Sequence, residues 1–583
     1  MKENENLESD LPSTPRSGLT AGRAWFLLVC AAFLWIVPGT SDLPLLDRDE
    51  PRFARATVEM IERASWSVPY FNGEYRFDKP PMVYWGMRFF YSVFGLSEVG
   101  ARSHSILATL LVAGSIFSFG RRLADMKRAL AASLAWLMLI QTQLHGRLCV
   151  ADMALLFFIM WAFRAVYELL APDRDAKQEK RWQWILGVSL GCSVITKWPV
   201  AVALLIGQLI LLRWPFVRQP LEWKRLAPIK TLVICGVISA AWGIPAYLAT
   251  DGLFWTQGFT EHFVQRGVSP MNRRIPIPGF YGLTFWLSFF PWAFSFVFLL
   301  RRWKAPLSFS QGFLLAWAGS VYGLFSVAMT QLPHYVMPAF PALILILFCD
   351  LPAWAQGQGG LSGMPRFPGR FHGGLAVLFL ILGGVVGMTS FPAGVGAIRD
   401  TLMLIAICFP LWQLAAWLLT RQRFVSVLAI GSLAAACFGW GSHWLRTLSP
   451  AVEMASRWRS LPADCQFYGC GYGEPSLVFY GGRHWDFVSV EELSERVASR
   501  TEGEPLGILF LERKRDLFKF LGERFGDPNL VWDTFKPEVD RSQELQTFLS
   551  QLTGSYDLHR VAGWNMATSE WVDAVWIELG LPE

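Results

Sequence analysis

Apolar runs of bilayer-spanning length recur along the first three quarters of the chain, at roughly 24–40, 101–120, 128–144, 151–171, 183–197, 199–213, 229–249, 280–300, 312–330, 334–350, 373–391, 398–420 and 424–445. A helix needs about 20 residues to cross the hydrocarbon core, so the pattern predicts about thirteen transmembrane helices. The two short runs flanking Pro199 leave that count open by one. Lys and Arg gather in alternate connections, such as Arg121, Arg122 and Lys127, then Lys177, Lys180 and Arg181, then Arg301, Arg302 and Lys304. The positive-inside rule makes those connections cytoplasmic. It puts the N-terminus inside and the 41–100 loop, the 250–279 loop and the region after about 446 outside. Residues 1–23 are polar and rich in Ser, Pro and Glu, the texture of a disordered cytoplasmic tail. From 446 to 583 charged residues become frequent, and no run reaches spanning length. Strand-like runs at Cys465–Tyr468, Leu477–Tyr480, Phe487–Val490 and Gly507–Leu511 alternate there with helical patterns. One helix opens with Ser489 and Glu492 at capping-box spacing, and another covers Arg513–Phe525. The expected fold is a polytopic α-helical membrane domain over 24–445, followed by a soluble external α/β domain over 446–583.

Composition agrees: 53% of residues are hydrophobic and 15% aromatic, too apolar for an ordinary soluble enzyme. The formal charge of +6 is spread over short loops instead of one basic face, which argues against a nucleic-acid partner. The nine cysteines form no CxxC pair and no Cys/His cluster of zinc-finger type. Cys465 and Cys470 lie near each other outside the membrane, where a disulfide is open to them if their geometry allows it. The glycines at 469, 471 and 473 precede Glu474-Pro475 instead of a helix, so they do not read as a nucleotide fingerprint.

The densest charge lies in residues 47–85 of the first external loop. Asp47, Asp49, Glu50 and Arg52 follow the first span, and Asp78 and Lys79 precede the next apolar run. Between them Phe53, Ala56, Met60 and Ala64 recur at helical spacing opposite Arg55, Glu59 and Glu62, the pattern of a helix on a membrane surface. Pro80 and Pro81 suit the first turn of a second helix. Taken singly, each charge also reads as a helix cap or a dipole partner.

As a set, Asp49-Glu50-Pro51-Arg52-Phe53, Asn72-Gly73 and Phe77-Asp78-Lys79-Pro80-Pro81 with Tyr84-Trp85 resemble the first external loop of the protein O-mannosyltransferase and aminoarabinose transferase superfamily. These are GT-C glycosyltransferases that use polyprenyl-phosphate sugars. Further likenesses are Asp152 at the start of a span, Glu261-His262-Phe263 with Arg266 one turn on, and Pro333-His334-Tyr335 before Pro338. Thr196-Lys197-Trp198-Pro199 resembles a Lys-Gly-Pro motif in which Trp198 replaces the glycine.

The resemblance implies a bacterial inner-membrane enzyme that transfers a sugar from undecaprenyl phosphate to lipid A or another envelope acceptor, with inversion. Asp49, Glu50, Arg52 and Asp152 are then the catalytic candidates, with Asp49 as base. Lys79, Arg266, Tyr335 and Lys197 are candidates for the donor phosphate, as preorganised cations and a hydroxyl. No cofactor is required, although Asp78 and His262 together suggest a divalent cation such as zinc. Asp152 also reads as a helix cap, and Tyr335 as an interfacial anchor. A protein O-mannosyltransferase acting on Ser or Thr is the near alternative. A lipid transporter is the distant one, and it is disfavoured by the lack of a repeat and by the clustering of charge in external loops.

Overall fold

Thr20 caps the first helix by accepting from the Arg23 N–H, and α1 (Ala21–Ile36) leads into the charged loop. The structure, a computed structural model, describes residues 19–580 except 174, 214–221, 266–276, 303–306, 351–365, 389–395, 502, 517–519, 521–537, 553–554, 566–567 and 569. The loop carries α2 (Glu50–Glu62), a small hairpin of β1 (Tyr70–Phe71) and β2 (Glu74–Tyr75), and α3 (Met82–Phe94). Then follow α4 (Glu98–Leu123), α5 (Met126–Leu137), α6 (Ile140–His145), α7 (Asp152–Leu170), α8 (Glu179–Lys197), α9 (Val200–Leu212) and α10 (Pro228–Ala249). A π-helical stretch covers Phe254–Gln265, and further helices run to Phe424–Arg446.

Each expected apolar run falls on helix. Among the described residues, five helices are long and apolar enough to cross a membrane unaided: Glu98–Leu123, Asp152–Leu170, Trp223–Ala249, Leu402–Thr420 and Phe424–Arg446. Several of the other runs are broken. The 128–144 run divides into α5 and α6, and the Ile140 N–H after the break is taken by the Phe290 carbonyl. The 334–350 run opens as a 3-10 turn, Pro333–Ala339, because Pro333 and Pro338 cannot donate to an α ladder.

The α2 helix departs from expectation. Its polar face is covered for most of its length, so Arg55 and Glu59 are buried along with Phe53 and Met60, while Glu62 stays exposed. It packs against α3 on one side and against the Pro475–Gly481 helix of the C-terminal region on another. The Arg55 guanidinium donates to Glu59 at 3.0 Å, and the Glu59 carboxylate accepts from the Asn72 and Gly73 N–H groups at the hairpin turn. A buried carboxylate needs such partners, so the charges that suggested a solvated face instead fasten the loop from within.

The C-terminal region forms a mixed sheet in the order β4-β3-β5-β8-β7, with β6 paired to β5. The strands are β3 (Gln466–Cys470), β4 (Asp486–Val488), β5 (Leu506–Asp516), β6 (Val539–Asp540), β7 (Tyr556–Asn565) and β8 (Glu570–Leu579). β3 runs parallel to both β4 and β5, whereas β5–β8 and β8–β7 are antiparallel. Ser489 does cap the Val490–Ala498 helix, accepting from the Glu492 N–H.

Two sequence expectations fail in this region. Leu477–Tyr480 lies in a short helix, with Pro475 in its first turn and Gly482 closing it at φ +69°; the flanking residues, not the apolar run, decide the type. Arg513–Asp516 continues β5 instead of starting a helix, and the rest of that expected helix lies almost wholly outside the described residues. Cys465 and Cys470 are free thiols, one packed with the Trp458 cluster and the other with the Phe510 cluster.

The sheet region is joined to the first loop at several points. The Asn72 side-chain amide both donates to the Trp485 carbonyl and accepts from its N–H, at 2.8 and 2.9 Å. The Tyr480 hydroxyl accepts from the Leu45 N–H, and Asp47 accepts from the Ser476 N–H at 2.9 Å. The first loop and the C-terminal domain therefore occupy the same side of the helical bundle.

Candidate active site

The loop charges divide into two kinds. Glu50 is 1% exposed and faces inward, where Arg102 of α4 clasps it at 2.7 and 3.0 Å and the Leu46 and Cys149 N–H groups donate to it. Burial alone would raise its pKa. The Arg102 charge and these hydrogen bonds outweigh burial and hold the carboxyl below its usual range. Glu50 is thus an anchor that ties α2 to α4, which corrects its expected catalytic part: with Arg102 and two backbone donors in place, its oxygens are committed. Asp49, one residue earlier, is exposed, and no described residue donates a hydrogen bond to its carboxylate. Asp49 acts electrostatically on Arg52, Arg76, Lys197 and His145. Arg52 is half-buried, and burial with the nearby Arg76 lowers its pKa against the pull of Asp49, Asp78 and Glu474. Asp49 and Arg52 are thus not tied down by ion pairs in the way Glu50 is.

Behind them lies a cavity of about 320 Å³. Lys79, Asp152, Lys197, His334 and Tyr335 line it, with Leu155, Val200, Leu324 and Phe325 among its apolar walls. The helix termini explain the assembly. Asp152 opens α7 and Lys197 closes α8, so an antiparallel pair brings the two side chains together at 2.7 Å. Each charge also suits the dipole end on which it sits. The Lys197 ammonium lies 5.2 Å from the centre of the Tyr335 ring. Lys79 enters from the first loop and pairs with Asp78 at 2.9 Å.

Trp198, at the position where the resembling motif has glycine, keeps the glycine-like backbone at φ +59°. With ψ −171° this is the extended positive-φ region, where a side chain costs roughly 1–3 kcal/mol. Aromatic packing against Trp242, Phe254, Trp255 and Phe259 offsets it. Gly258 fits beneath this cluster, where a Cβ would meet the Phe77 carbonyl at 2.8 Å, so the Phe254–Gln265 stretch lies directly on the segment that carries Lys79.

Of the expected phosphate ligands, Lys79, Lys197 and Tyr335 therefore share one cavity with Asp152. Arg266 and the side chain of His262 lie outside the described residues. Asp78 accepts from Arg76 at 3.0 Å and from Lys79 at 2.9 Å, so cations engage both of its oxygens.

Sequence reasoning passed over Arg76, whose guanidinium bridges Asp78 and the Tyr84 hydroxyl. It named Asp47 among the loop charges without giving it a part; here burial and the neighbouring Glu474 push the Asp47 carboxyl up to about 7, against the Ser476 hydrogen bonds and Arg52. A carboxyl whose folded pKa lies above its unfolded one binds more protons when folded, so this group's contribution falls as pH rises from about 4 to 7 and its cost is complete above 7. Asp47→Asn should therefore raise the melting temperature more at pH 8 than at pH 5. A thermal melt in detergent with an equal or smaller gain at pH 8 would refute this.

Comparison with known proteins bears on this geometry. Residues 78–242 match the family model for dolichyl-phosphate-mannose-protein mannosyltransferase. The undecaprenyl phosphate-alpha-4-amino-4-deoxy-L-arabinose arabinosyl transferase of Edwardsiella ictaluri is 28% identical over 412 residues, 67% of this chain and 71% of the relative. The enzyme of that name from Aeromonas hydrophila is 27% identical over 363 residues, 58% and 64% of the two chains. Among solved structures, ArnT from Cupriavidus metallidurans bound to undecaprenyl phosphate superposes with a TM-score of 0.72 at 20% identity, over 96% of this chain and 98% of that one. The chain has the fold of that transferase and resembles these lipid-phosphate-sugar transferases over most of its length. The apo form of the same ArnT gives a TM-score of 0.70 over 84% of this chain. In this fold the cavity lies where Lys79 of the first loop meets Asp152 and Lys197 at the ends of α7 and α8.

Proposed function

We propose that the enzyme moves a sugar from an undecaprenyl-phosphate donor to lipid A or another envelope acceptor at the outer face of the bacterial inner membrane, with inversion at the anomeric carbon. One observation carries this reading: two lysines and a tyrosine line a single cavity whose walls are otherwise largely apolar. Apolar walls suit a polyprenyl chain, and the cations suit its phosphate. The names of the relatives in Edwardsiella and Aeromonas and the ligand in the Cupriavidus structure support the same donor.

The chemistry follows from charge. An acceptor oxygen attacks the anomeric carbon, the bond from that carbon to the phosphate oxygen breaks, and the electron pair leaves with the phosphate. The phosphate changes from a diester to a monoester and gains negative charge, which Lys79 and Lys197 offset from fixed positions. Where the acceptor is a hydroxyl, Asp49 takes its proton; where it is a phosphate, already ionised, Asp49 and Arg52 orient it. The test incubates purified protein with undecaprenyl-phosphate 4-amino-4-deoxy-L-arabinose and lipid A and reads the product by mass spectrometry. Transfer to Ser or Thr of a protein instead, or movement of lipid without transfer, would overturn the reading.

On this reading the N-terminus is cytoplasmic, and the first loop, the 250–279 loop and the C-terminal domain face the periplasm. Cysteines introduced into a cysteine-free variant should react with an impermeant reagent in intact spheroplasts at 47–78, 250–279 and 450–583, and at none of 173–181 or 356–370. Labelling of either of the last two segments would reverse the orientation.

A further inference from the structure

The charged groups of the cavity have partners, but three of its other polar groups do not. Trp198 is 2% exposed, and its Nε1 has no hydrogen-bond partner among the described residues. Thr330 is 6% exposed, and its Oγ1 likewise has none. His334 stacks on His145, with ring centroids 4.6 Å apart at 36°, and meets Tyr335 edge-on at 4.9 Å. Neither nitrogen of the His334 ring is hydrogen-bonded to a described residue. All three side chains line the same cavity as Lys79 and Lys197. A buried polar group left unsatisfied costs roughly 1–3 kcal/mol, so two in one cavity, with the half-buried His334 imidazole beside them, call for an occupant that accepts hydrogen bonds. An indole N–H can only donate, and a hydroxyl and an imidazole N–H donate readily. The occupant is therefore rich in acceptor oxygens.

We propose that Trp198, Thr330 and His334 form a neutral donor set that holds the phosphate oxygens of the lipid-linked substrate, beside the two lysines that bind it by charge. This rests on the donor assigned above. Division of labour gives it a physical purpose, since lysines attract a phosphate but fix its orientation poorly, whereas directional neutral donors set the angle at which the anomeric carbon is presented. Trp198 also gains a reason to replace glycine at a position of positive φ: it brings an N–H as well as packing. His145 holds the His334 ring in place, and Gln141 in turn meets the His145 Nδ1 at 3.2 Å.

The substitutions that test this remove a donor and keep the shape: Trp198→Phe, Thr330→Val and His334→Phe. With undecaprenyl phosphate as the probe in nanodiscs, each should weaken affinity about 10- to 100-fold, as loss of one hydrogen bond to a charged group would. His334→Gln, which restores an N–H donor, should recover most of the loss. The dependence of affinity on salt should stay that of wild type in all four, because no charge is removed. Full wild-type affinity in Trp198→Phe, Thr330→Val and His334→Phe, or equal losses in His334→Phe and His334→Gln, would overturn the donor set while leaving the proposed function intact. Failure of the wild-type protein itself to bind undecaprenyl phosphate would remove that function as well.

Discussion

Asp49→Asn should abolish sugar transfer while leaving the fold unchanged. The carboxylate is exposed and accepts no hydrogen bond from any described residue, so neutralising it removes almost nothing that holds α2 in place. The anchoring is done next door, by the buried pair of Glu50 with Arg102. At the reaction centre the position is different. Asp49 is the exposed loop carboxylate within electrostatic reach of Lys197, which lines the cavity, and of Arg52 and Arg76 at its edge. Loss of its charge removes both a proton acceptor and the countercharge that orients Arg52. A rate assay with the lipid-linked sugar, alongside a thermal melt, separates the two effects. Retention of more than about a tenth of the wild-type rate, a loss of under ~1.4 kcal/mol, would exclude Asp49 as a principal catalytic group. Glu50→Gln makes the opposite control, since it should lower the melting temperature through Arg102.

Asp49 and Lys79 stand out in the sequence because a membrane chain rarely gathers charge without use, and the motif around them is distinctive. Glu50 was misread for the same reason: adjacent carboxylates look alike in a sequence, and only the Arg102 guanidinium, 52 residues away, shows which one turns inward. The polar face of α2 likewise gave a correct helical period and a wrong neighbour. Periodicity reports which residues share a face, but not whether water, lipid or a later domain covers it. Leu477–Tyr480 shows a related limit, since four apolar residues fit a strand or a two-turn helix equally well. Asp152 and Lys197 were each visible as polar residues at the ends of spans. Their pairing needed the antiparallel packing of α7 and α8, which no local pattern encodes. The unpartnered Trp198, Thr330 and His334 were beyond reach, because an unmade hydrogen bond is a property of the assembled cavity.

Lys79 and Lys197 should bind one phosphate together, and their losses should not add. They come from segments far apart in the chain, the first loop and the end of α8, yet they line the same cavity. Truncating Lys197 alone is a poor test, because it strands the Asp152 carboxylate that it pairs at 2.7 Å, and breaking a buried ion pair from one side costs roughly 3–5 kcal/mol. Lys197→Met is therefore made in an Asp152→Asn background, where the remaining amide needs no countercharge. Lys79→Met leaves Arg76 to hold Asp78 at 3.0 Å, so that site keeps its partner. Affinity for undecaprenyl phosphate should fall at least tenfold in each single lysine variant, about 1.4 kcal/mol, measured against its own background. The double variant should lose less than the product of the two losses, since a phosphate released by one lysine is already displaced from the other. Lys79→Arg should recover only part of the affinity, because a planar fork does not replace a compact ammonium in a cavity of this size. Strictly multiplicative losses across the cycle would mean that the two cations serve different groups, with Lys197 acting through Asp152 on the structure and the phosphate resting on Lys79 alone.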